Sequence, residues 1–280
     1  MIRAFYEITK PGIIYGNLLT SIAGYFLASD LKINFGTFFG AVIGFGLVIA
    51  AACTFNNLAD KDIDKRMART KHRPSVTGQI TFRTGIIYGS ILLAVGLALL
   101  IWLTNLLAVY AALLGFLVYL GAYTYAKRKT SLATLIGSIS GATPIVGGYV
   151  AYAGHFNMTA LIIGLMMLVW QMPHFYAIAI YREKDYKKAK IPVLPATKGY
   201  RIAEFWMALF SFLFVALNIA LFWAGSVGKI YLIIMGAVSI GWFVYNLSGL
   251  FSNSVVYWAK KDFRYSLIVM LTMSVMLALR

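Results

Sequence analysis

Long apolar runs separated by short polar breaks set the pattern of this chain. They lie at about 13–29, 36–58, 83–103, 105–125, 132–152, 158–181, 202–224, 230–251 and 264–279. Most reach the roughly 20 residues a helix needs to cross the hydrocarbon core of a bilayer. No Asp, Glu, Lys or Arg occurs from Gly85 to Ala126 or from Thr130 to Tyr181, and each stretch is long enough for two spans. The pattern predicts an all-α, polytopic membrane bundle of about nine transmembrane helices, because backbone facing lipid must satisfy its own hydrogen bonds. The breaks Thr104-Asn105 and Ala153-Gly154-His155-Phe156-Asn157 are brief and nearly uncharged. The two longest polar segments, about 59–82 and 182–201, hold five of the nine acids. A plain outer face and two charged inner loops place the chemistry around a central cavity open toward the cytoplasmic side.

Composition agrees: 61% of residues are hydrophobic and only 12% charged, against roughly 25% charged in soluble domains. A net charge of +16 would suit nucleic acid, but its distribution excludes that partner. On alternate sides of the nine spans, 22 of the 25 Lys and Arg fall with the N-terminus and only Lys32, Lys229 and Arg280 fall opposite. This is the positive-inside asymmetry, with a cytoplasmic N-terminus. Cys53 is the only cysteine, which excludes internal disulfides and a covalent haem attachment motif. Arg3, Glu7 and Lys10 precede a full-length span rather than a cleavable signal. With no basic amphipathic presequence ahead of that span, the expected location is a bacterial inner membrane.

The segment Asn56-Asn57-Leu58-Ala59-Asp60-Lys61-Asp62-Ile63-Asp64 gathers three acids at a span's end and is followed by Arg66, Arg69, Lys71 and Arg73. If the helix continues, Asn56, Asp60 and Asp64 recur every four residues and stay within about 80° on one face. Asp62 points about 160° away, to solvent. A row of oxygen ligands suits Mg²⁺, which takes a couple of carboxylates and completes its shell with water and substrate phosphate. Arginines nearby suit the same phosphate through bidentate hydrogen bonds. The bland reading is a solvated helix end neutralised by Lys61, Lys65 and Arg66.

Lys127-Arg128-Lys129-Thr130 closes the fourth span, where cations suit a helix C-terminus and also a diphosphate. In Tyr181–Lys190, Asp185 is a candidate second metal position, with Arg182, Lys187 or Lys190 on phosphate. His174, in Trp170-Gln171-Met172-Pro173-His174-Phe175, is the only ionisable residue well inside a span apart from tyrosines. In hydrocarbon such a residue is a functional candidate by default, able to bind haem iron or shuttle a proton. Asn17 is a weaker candidate for the same cavity. The fifth span holds Gly137, Ser138, Ser140, Gly141, Pro144, Gly147 and Gly148, which fits close helix packing or room for a large flat ligand. An echo links Arg73-Pro74 through Gly78 with Ile191-Pro192-Val193-Leu194-Pro195 through Gly199. The chain reads as one membrane domain over 1–280. The echo is compatible with pseudo-repeats at about 1–125 and 130–250, and the prolines and glycines fit loop exits equally well.

Asn56-x3-Asp60-x3-Asp64, then Arg69-Thr70-x2-Arg73-Pro74, Gly78-x-Ile80 and Lys127-Arg128-x-Thr130 resemble the UbiA superfamily of intramembrane prenyltransferases. Thr9-Lys10-Pro11-Gly12-Ile13, Trp170-Gln171-Met172-Pro173-His174 and Asp185-Tyr186 with Ile191-Pro192-Val193-Leu194-Pro195 resemble its haem-farnesylating branch. Asn57, where Asp is frequent, and Tyr181, four residues before Asp185, depart from the wider superfamily and fit that branch. The resemblance implies transfer of farnesyl from farnesyl diphosphate to a vinyl group of haem B, with water added, giving haem O and diphosphate. It implies Mg²⁺ as cofactor, haem B as substrate, and a haem A synthase or a terminal oxidase assembly as downstream partner. On that reading Asn56, Asp60, Asp64, Arg69 and Arg73 are catalytic. Arg66, Lys71, Lys127, Arg128, Arg182, Lys187 and Lys190 hold diphosphate, and His174, Gln171 and Asn17 hold haem. Asn56, Asp60, Asp64 and Asp185 take the metal.

Two alternatives stand beside it. A relative that prenylates an aromatic quinone precursor shares the chemistry, but the Trp170–Phe175 segment and Asp185-Tyr186 argue for haem. A secondary transporter also has helical repeats with midplane ionisable groups, but here the acids cluster at one face. CDP-alcohol phosphotransferases share the four-residue acid spacing, yet their Asp-Gly-x2-Ala-Arg segment is absent.

Overall fold

A computed structural model describes residues 1–279; Arg280, one of the three cations assigned to the outer side, lies outside the described residues. Nine helices among them are long and apolar enough to cross a membrane. They are α1 (Pro11–Ser29), α2 (Phe35–Ala59), α3 (Phe82–Leu103), α4 (Leu106–Ala126), α5 (Ala133–Ala153), α6 (Met158–Tyr181), α7 (Tyr200–Trp223), α8 (Lys229–Gly249) and α9 (Val255–Leu279). Local chemistry sets several starts. Asn34, Thr81, Asn105 and Asn157 each accept a hydrogen bond from the backbone N–H three residues on, capping α2, α3, α4 and α6. Pro11 opens α1, where its missing N–H costs nothing. Gly154, at φ 70°, ends α5 in the left-handed conformation that glycine adopts freely.

One boundary corrects the sequence reading. The ninth helix begins at Val255, not near 264, and takes Lys260, Lys261, Asp262 and Arg264 into its first turns. Lys260, Lys261 and Asp262 read as loop, but Asp262 is fully buried and accepts from Trp242 Nε1 at 2.8 Å and Asn246 Nδ2 at 3.1 Å on α8. Buried polar groups persist where partners receive them.

Eight of the helices pack as three fused rings of four, α1–α2–α4–α5, then α1–α5–α6–α9, then α6–α7–α8–α9, and α3 packs outside the first ring against α2 and α4. The α1–α5 contact decides where space remains. In the uncharged half of the bundle, a Cβ on Gly24 would meet the Ile145 carbonyl, and one on Gly148 would meet the Ser21 carbonyl. The two backbones touch there because neither helix has a side chain between them. Toward the charged end they part, and Cβ atoms on Gly12 and Gly16 would meet nothing within 4 Å. The small residues of α5 pack and also line the cavity: Gly147 and Gly148 lie against Phe45 and the Ser21 backbone, while Gly137, Ser140, Gly141 and Pro144 line the space, Gly137 close to the Tyr123 ring and Gly141 close to the Gln171 amide.

The two polar segments close over that end together. Ile63 and Met67 of the first are buried against Ala189 of the second, with Tyr186 and Ile191 beside them. Each segment holds a short helix, Pro74–Thr77 or Leu194–Lys198, followed by a positive-φ glycine, Gly78 or Gly199.

Candidate active site

A cavity of about 410 Å³ occupies the parting of α1 and α5 and reaches into both adjoining rings. On one side Phe45, Val48, Ile49, Ala52, Ala112 and Phe116 of α2 and α4 form an apolar wall. On the other, Asn17, Gln171 and His174 line it, with Phe175, Leu267 and Met270. Lys127, Tyr119, Tyr123 and Tyr186 stand on its wall as well.

Next to Lys127 lie the acids. The backbone departs from α-helix at Asp60 (φ −95°, ψ 6°) and a short helix, Lys61–Asp64, follows. The four-residue hydrogen bonding nevertheless continues, from Asp60 N–H to Asn56 O at 2.9 Å and from Asp64 N–H to Asp60 O at 2.8 Å. Asn56, Asp60 and Asp64 are consequently all buried, while Asp62 is exposed.

Partners come from distant parts of the chain. Lys127 Nζ pairs with Asp60 Oδ2, and Arg73 Nη1 donates to Asp64 Oδ2 at 2.6 Å. Arg128 forks onto Asp62 with two bonds of 2.8 Å, and that hydrogen-bonded pair pulls the Asp62 carboxyl down to about 2. Among the described residues the ion pairs of these acids are with Lys127, Arg73 and Arg128, not with the sequence neighbours Lys61, Lys65 and Arg66. Asp60 Oδ1 is buried with no hydrogen bond, Arg128 Nη2 standing off at 3.6 Å. Asn56 Nδ2 donates to Thr124 Oγ1 at 3.0 Å, which turns Oδ1 toward Lys10 Nζ at 2.5 Å and the Tyr119 hydroxyl at 3.3 Å.

Lys10 is the residue the sequence reading left out of the site. It holds a left-handed backbone (φ 56°, ψ 65°) immediately before α1, a conformation that costs a non-glycine residue energy and collects at functional sites. Its hydrogen-bond acceptors, Asn56 Oδ1 and the Tyr119 hydroxyl at 3.4 Å, are both neutral. Burial of the ammonium lowers its pKa to about 8, with Cys53 opposing. Burial likewise lowers Lys127, against the pull of Asp60. Tyr119 and Tyr123 were missed too. They lie in a π-helical stretch, Val118–Tyr123, and their rings stack at 5.4 Å and 12°. Lys10 lies over one ring at 5.9 Å and Lys127 over the other at 5.3 Å. A π turn inside a helix often marks such a site, but nothing in an apolar span announces it.

The remaining predicted residues divide. Gln171 Nε2 donates to the carbonyls of Ser138 at 3.0 Å and Met167 at 2.9 Å, and Asn17 Nδ2 donates to Ile13 O at 2.8 Å. Arg69 is exposed and opposes the burial that raises the Tyr186 phenol. Arg66 and Lys71 are exposed. Lys187 pairs with Glu183 at 2.9 Å, Arg182 lies over the Tyr181 ring, and Lys190 faces out. Asp185 is half-buried in the helix Glu183–Lys188, off the cavity wall, where the next residue, Tyr186, stands instead. Asn57, fully buried, donates to Ile8 O at 2.5 Å and anchors the N-terminal segment.

The donor set fits Mg²⁺ held jointly with a phosphate. Among the described residues no group of three or more His, Cys, Asp or Glu forms a cage. The bare Asp60 Oδ1, Asp64 and the Asn56 amide oxygen instead make the sparse oxygen set that Mg²⁺ uses when substrate phosphates complete its shell.

Comparison with known proteins places the architecture. The protoheme IX farnesyltransferase of Photorhabdus laumondii is 44% identical over 280 residues, covering 100% of this chain and 95% of its own. A digeranylgeranylglyceryl phosphate synthase structure superposes with a TM-score of 0.82 at 20% identity, over 99% of this chain and 98% of that one. A UbiA homologue from Archaeoglobus fulgidus, bound to DMAPP and Mg²⁺, gives 0.74 at 16% identity, over 95% and 98%. The model of the UbiA prenyltransferase family matches residues 17–268, and the chain belongs to that family.

Proposed function

We propose that this protein transfers the farnesyl group of farnesyl diphosphate to a vinyl group of haem B, with addition of water, releasing haem O and diphosphate. The observation that carries the reading is that one cavity joins an apolar wall, next to Lys127 and through it to Asp60, with a separate wall bearing His174 and Gln171. A prenyl chain with its diphosphate near Asp60 and a flat acceptor by α6 would meet where Tyr119, Tyr123 and Lys127 stand. The relative's printed name, protoheme IX farnesyltransferase, supports the acceptor, and the Mg²⁺ and prenyl diphosphate of the archaeal homologue support the donor and metal.

Asn56, Asp60 and Asp64 would hold Mg²⁺, which when bound neutralises the leaving diphosphate. Lys127, Arg73 and Lys10 would turn from their present partners onto the diphosphate oxygens, stabilising charge as the C1–O bond breaks. The bond's electron pair leaves with diphosphate. The stacked Tyr119 and Tyr123 present ring faces to the allylic cation, and the apolar wall keeps bulk water from it. The vinyl π electrons close the new bond to C1. One water then captures the porphyrin-stabilised cation and gives up a proton to the released diphosphate. Arg69 stands by Tyr186 at the rim. For Asp185, Arg66, Lys71, Arg128, Arg182, Lys187 and Lys190 the reading is narrower: they supply field at the entrance rather than direct contact. The N-terminus and the charged end face the cytoplasm of a bacterial inner membrane, and haem O passes to a haem A synthase or a terminal oxidase.

The test is farnesyl transfer by purified protein in lipid, with reduced haem B or an aromatic acid as acceptor and products resolved by mass. Haem O from haem B alone supports the reading. A prenylated aromatic acid without haem O would replace it with the quinone-precursor reading.

A further inference from the structure

His174 is held from several sides. Its ring stacks on Trp170 at 4.8 Å and 23°, lies against Phe263 at 5.0 Å, and meets Phe175 edge-on at 5.3 Å. Nδ1 is 2.8 Å from the Ser266 hydroxyl oxygen. That hydroxyl also lies 2.7 Å from the Phe263 carbonyl oxygen, which can only accept. A serine has one proton to give, so the bond to Phe263 takes it, and toward His174 the oxygen accepts. The imidazole proton is therefore on Nδ1, and Nε2 carries the lone pair. The support is itself braced: Trp170 Nε1 donates to the Ser266 carbonyl at 2.9 Å. Nε2 has no hydrogen-bond partner in the protein, yet His174 is only 9% exposed and lines the cavity. One nitrogen donating to a fixed oxygen while the other stays bare is the arrangement of a metal-binding histidine.

We infer that His174 Nε2 is the axial ligand to the iron of the porphyrin acceptor, and that Ser266 is a positioning residue that fixes its tautomer and direction. The inference rests on the haem reading above and deepens it: the acceptor is recognised as an iron porphyrin, not only as a flat apolar ring. The lone pair of Nε2 forms the bond to iron. Nothing is oxidised or reduced, and no proton is released, because Nδ1–H stays on Ser266. The same geometry leaves Gly12 and Gly16 on a cavity wall with nothing within 4 Å of a would-be Cβ, which gives the macrocycle room.

The test titrates the full chain in lipid nanodiscs with ferric haem B and, in parallel, with metal-free protoporphyrin IX. Optical and electron paramagnetic resonance spectra report the axial ligand. Wild type should show an imidazole-bound iron. His174→Ala should lose that signature and bind haem at least about tenfold more weakly, while metal-free porphyrin binds both proteins alike, and added imidazole should restore the spectrum. Ser266→Ala should weaken haem binding by about tenfold and Ser266→Thr, which keeps the hydroxyl, should recover it. An imidazole-bound spectrum that persists in His174→Ala, or equal losses for haem and metal-free porphyrin, would overturn the ligation. Ser266→Ala indistinguishable from wild type would overturn the positioning role. Farnesyl transfer on the same preparations separates the two levels. Haem O made by a wild type without an axial nitrogen refutes ligation alone. Folded wild type that neither binds haem nor makes haem O refutes the haem reading.

Discussion

Asp60 has one oxygen on Lys127 and the other bare. Asp60→Asn keeps the shape but removes the charge that both Lys127 and a metal would use. Its initial rate of haem O formation should fall by about 100-fold or more, the scale set by loss of one preorganised electrostatic group. A rate within a few-fold of wild type would remove Asp60 from the site. Lys10 makes an opposite pair of expectations. Its half-buried ammonium meets only neutral acceptors, so Lys10→Met should leave thermal stability unchanged or raised, since desolvating a charge without an ionic partner costs energy. Losing a charged hydrogen bond to diphosphate should raise the KM for farnesyl diphosphate by about tenfold, with the KM for haem unchanged. Lower stability with an unchanged KM would make Lys10 structural. Periodicity made the three-residue row legible in sequence, because a four-residue spacing is a face whenever a helix continues. Lys10 was not legible in that way. Its role depends on a left-handed turn that brings it 46 positions along the chain to Asn56, and a cation before Pro-Gly looks like an ordinary helix flank.

At the level of elements, hydrophobic runs located the helices well because bilayer thickness fixes their length. The pattern failed where burial in protein replaced burial in lipid. The charged start of α9 is helical because Asp262 is received by Trp242 and Asn246, contacts invisible to a count of apolar residues. The π stretch in α4 was equally hidden, since Val118–Tyr123 has the composition of any span. The glycines of α1 and α5 separate two roles that sequence left joined. Gly148→Val drives a side chain into the Ser21 backbone and should lower unfolding stability by about 1–3 kcal/mol, the usual cost of overpacking. Gly12→Ala, in open space, should leave the melting temperature in detergent unmoved. Equal melting temperatures for both variants would show that α1 and α5 do not approach as closely as described.

For the whole molecule, three fused rings give the cavity its position: α1 and α5 touch at one end of the bundle and part at the other. The charged segments then close over the opening through Ile63, Met67 and Ala189. Stability comes from helix packing and the site from its open end, so metal removal should separate them. Chelation by EDTA should abolish farnesyl transfer while circular dichroism and the melting temperature stay unchanged within the ligand-linkage term. A chelated protein that melts early would mean that the metal holds the fold.

The most direct measurement of the central claim is a ternary structure with Mg²⁺, a farnesyl thiodiphosphate that cannot ionise, and ferric haem B. The account predicts diphosphate and Mg²⁺ at Asn56, Asp60 and Asp64, with the prenyl chain along Val48, Ile49 and Phe116. The porphyrin should stand against His174 and Gln171, with a vinyl group facing C1 beside Tyr119 and Tyr123. A prenyl chain lying along α6 and α9, or a porphyrin outside this cavity, would contradict it.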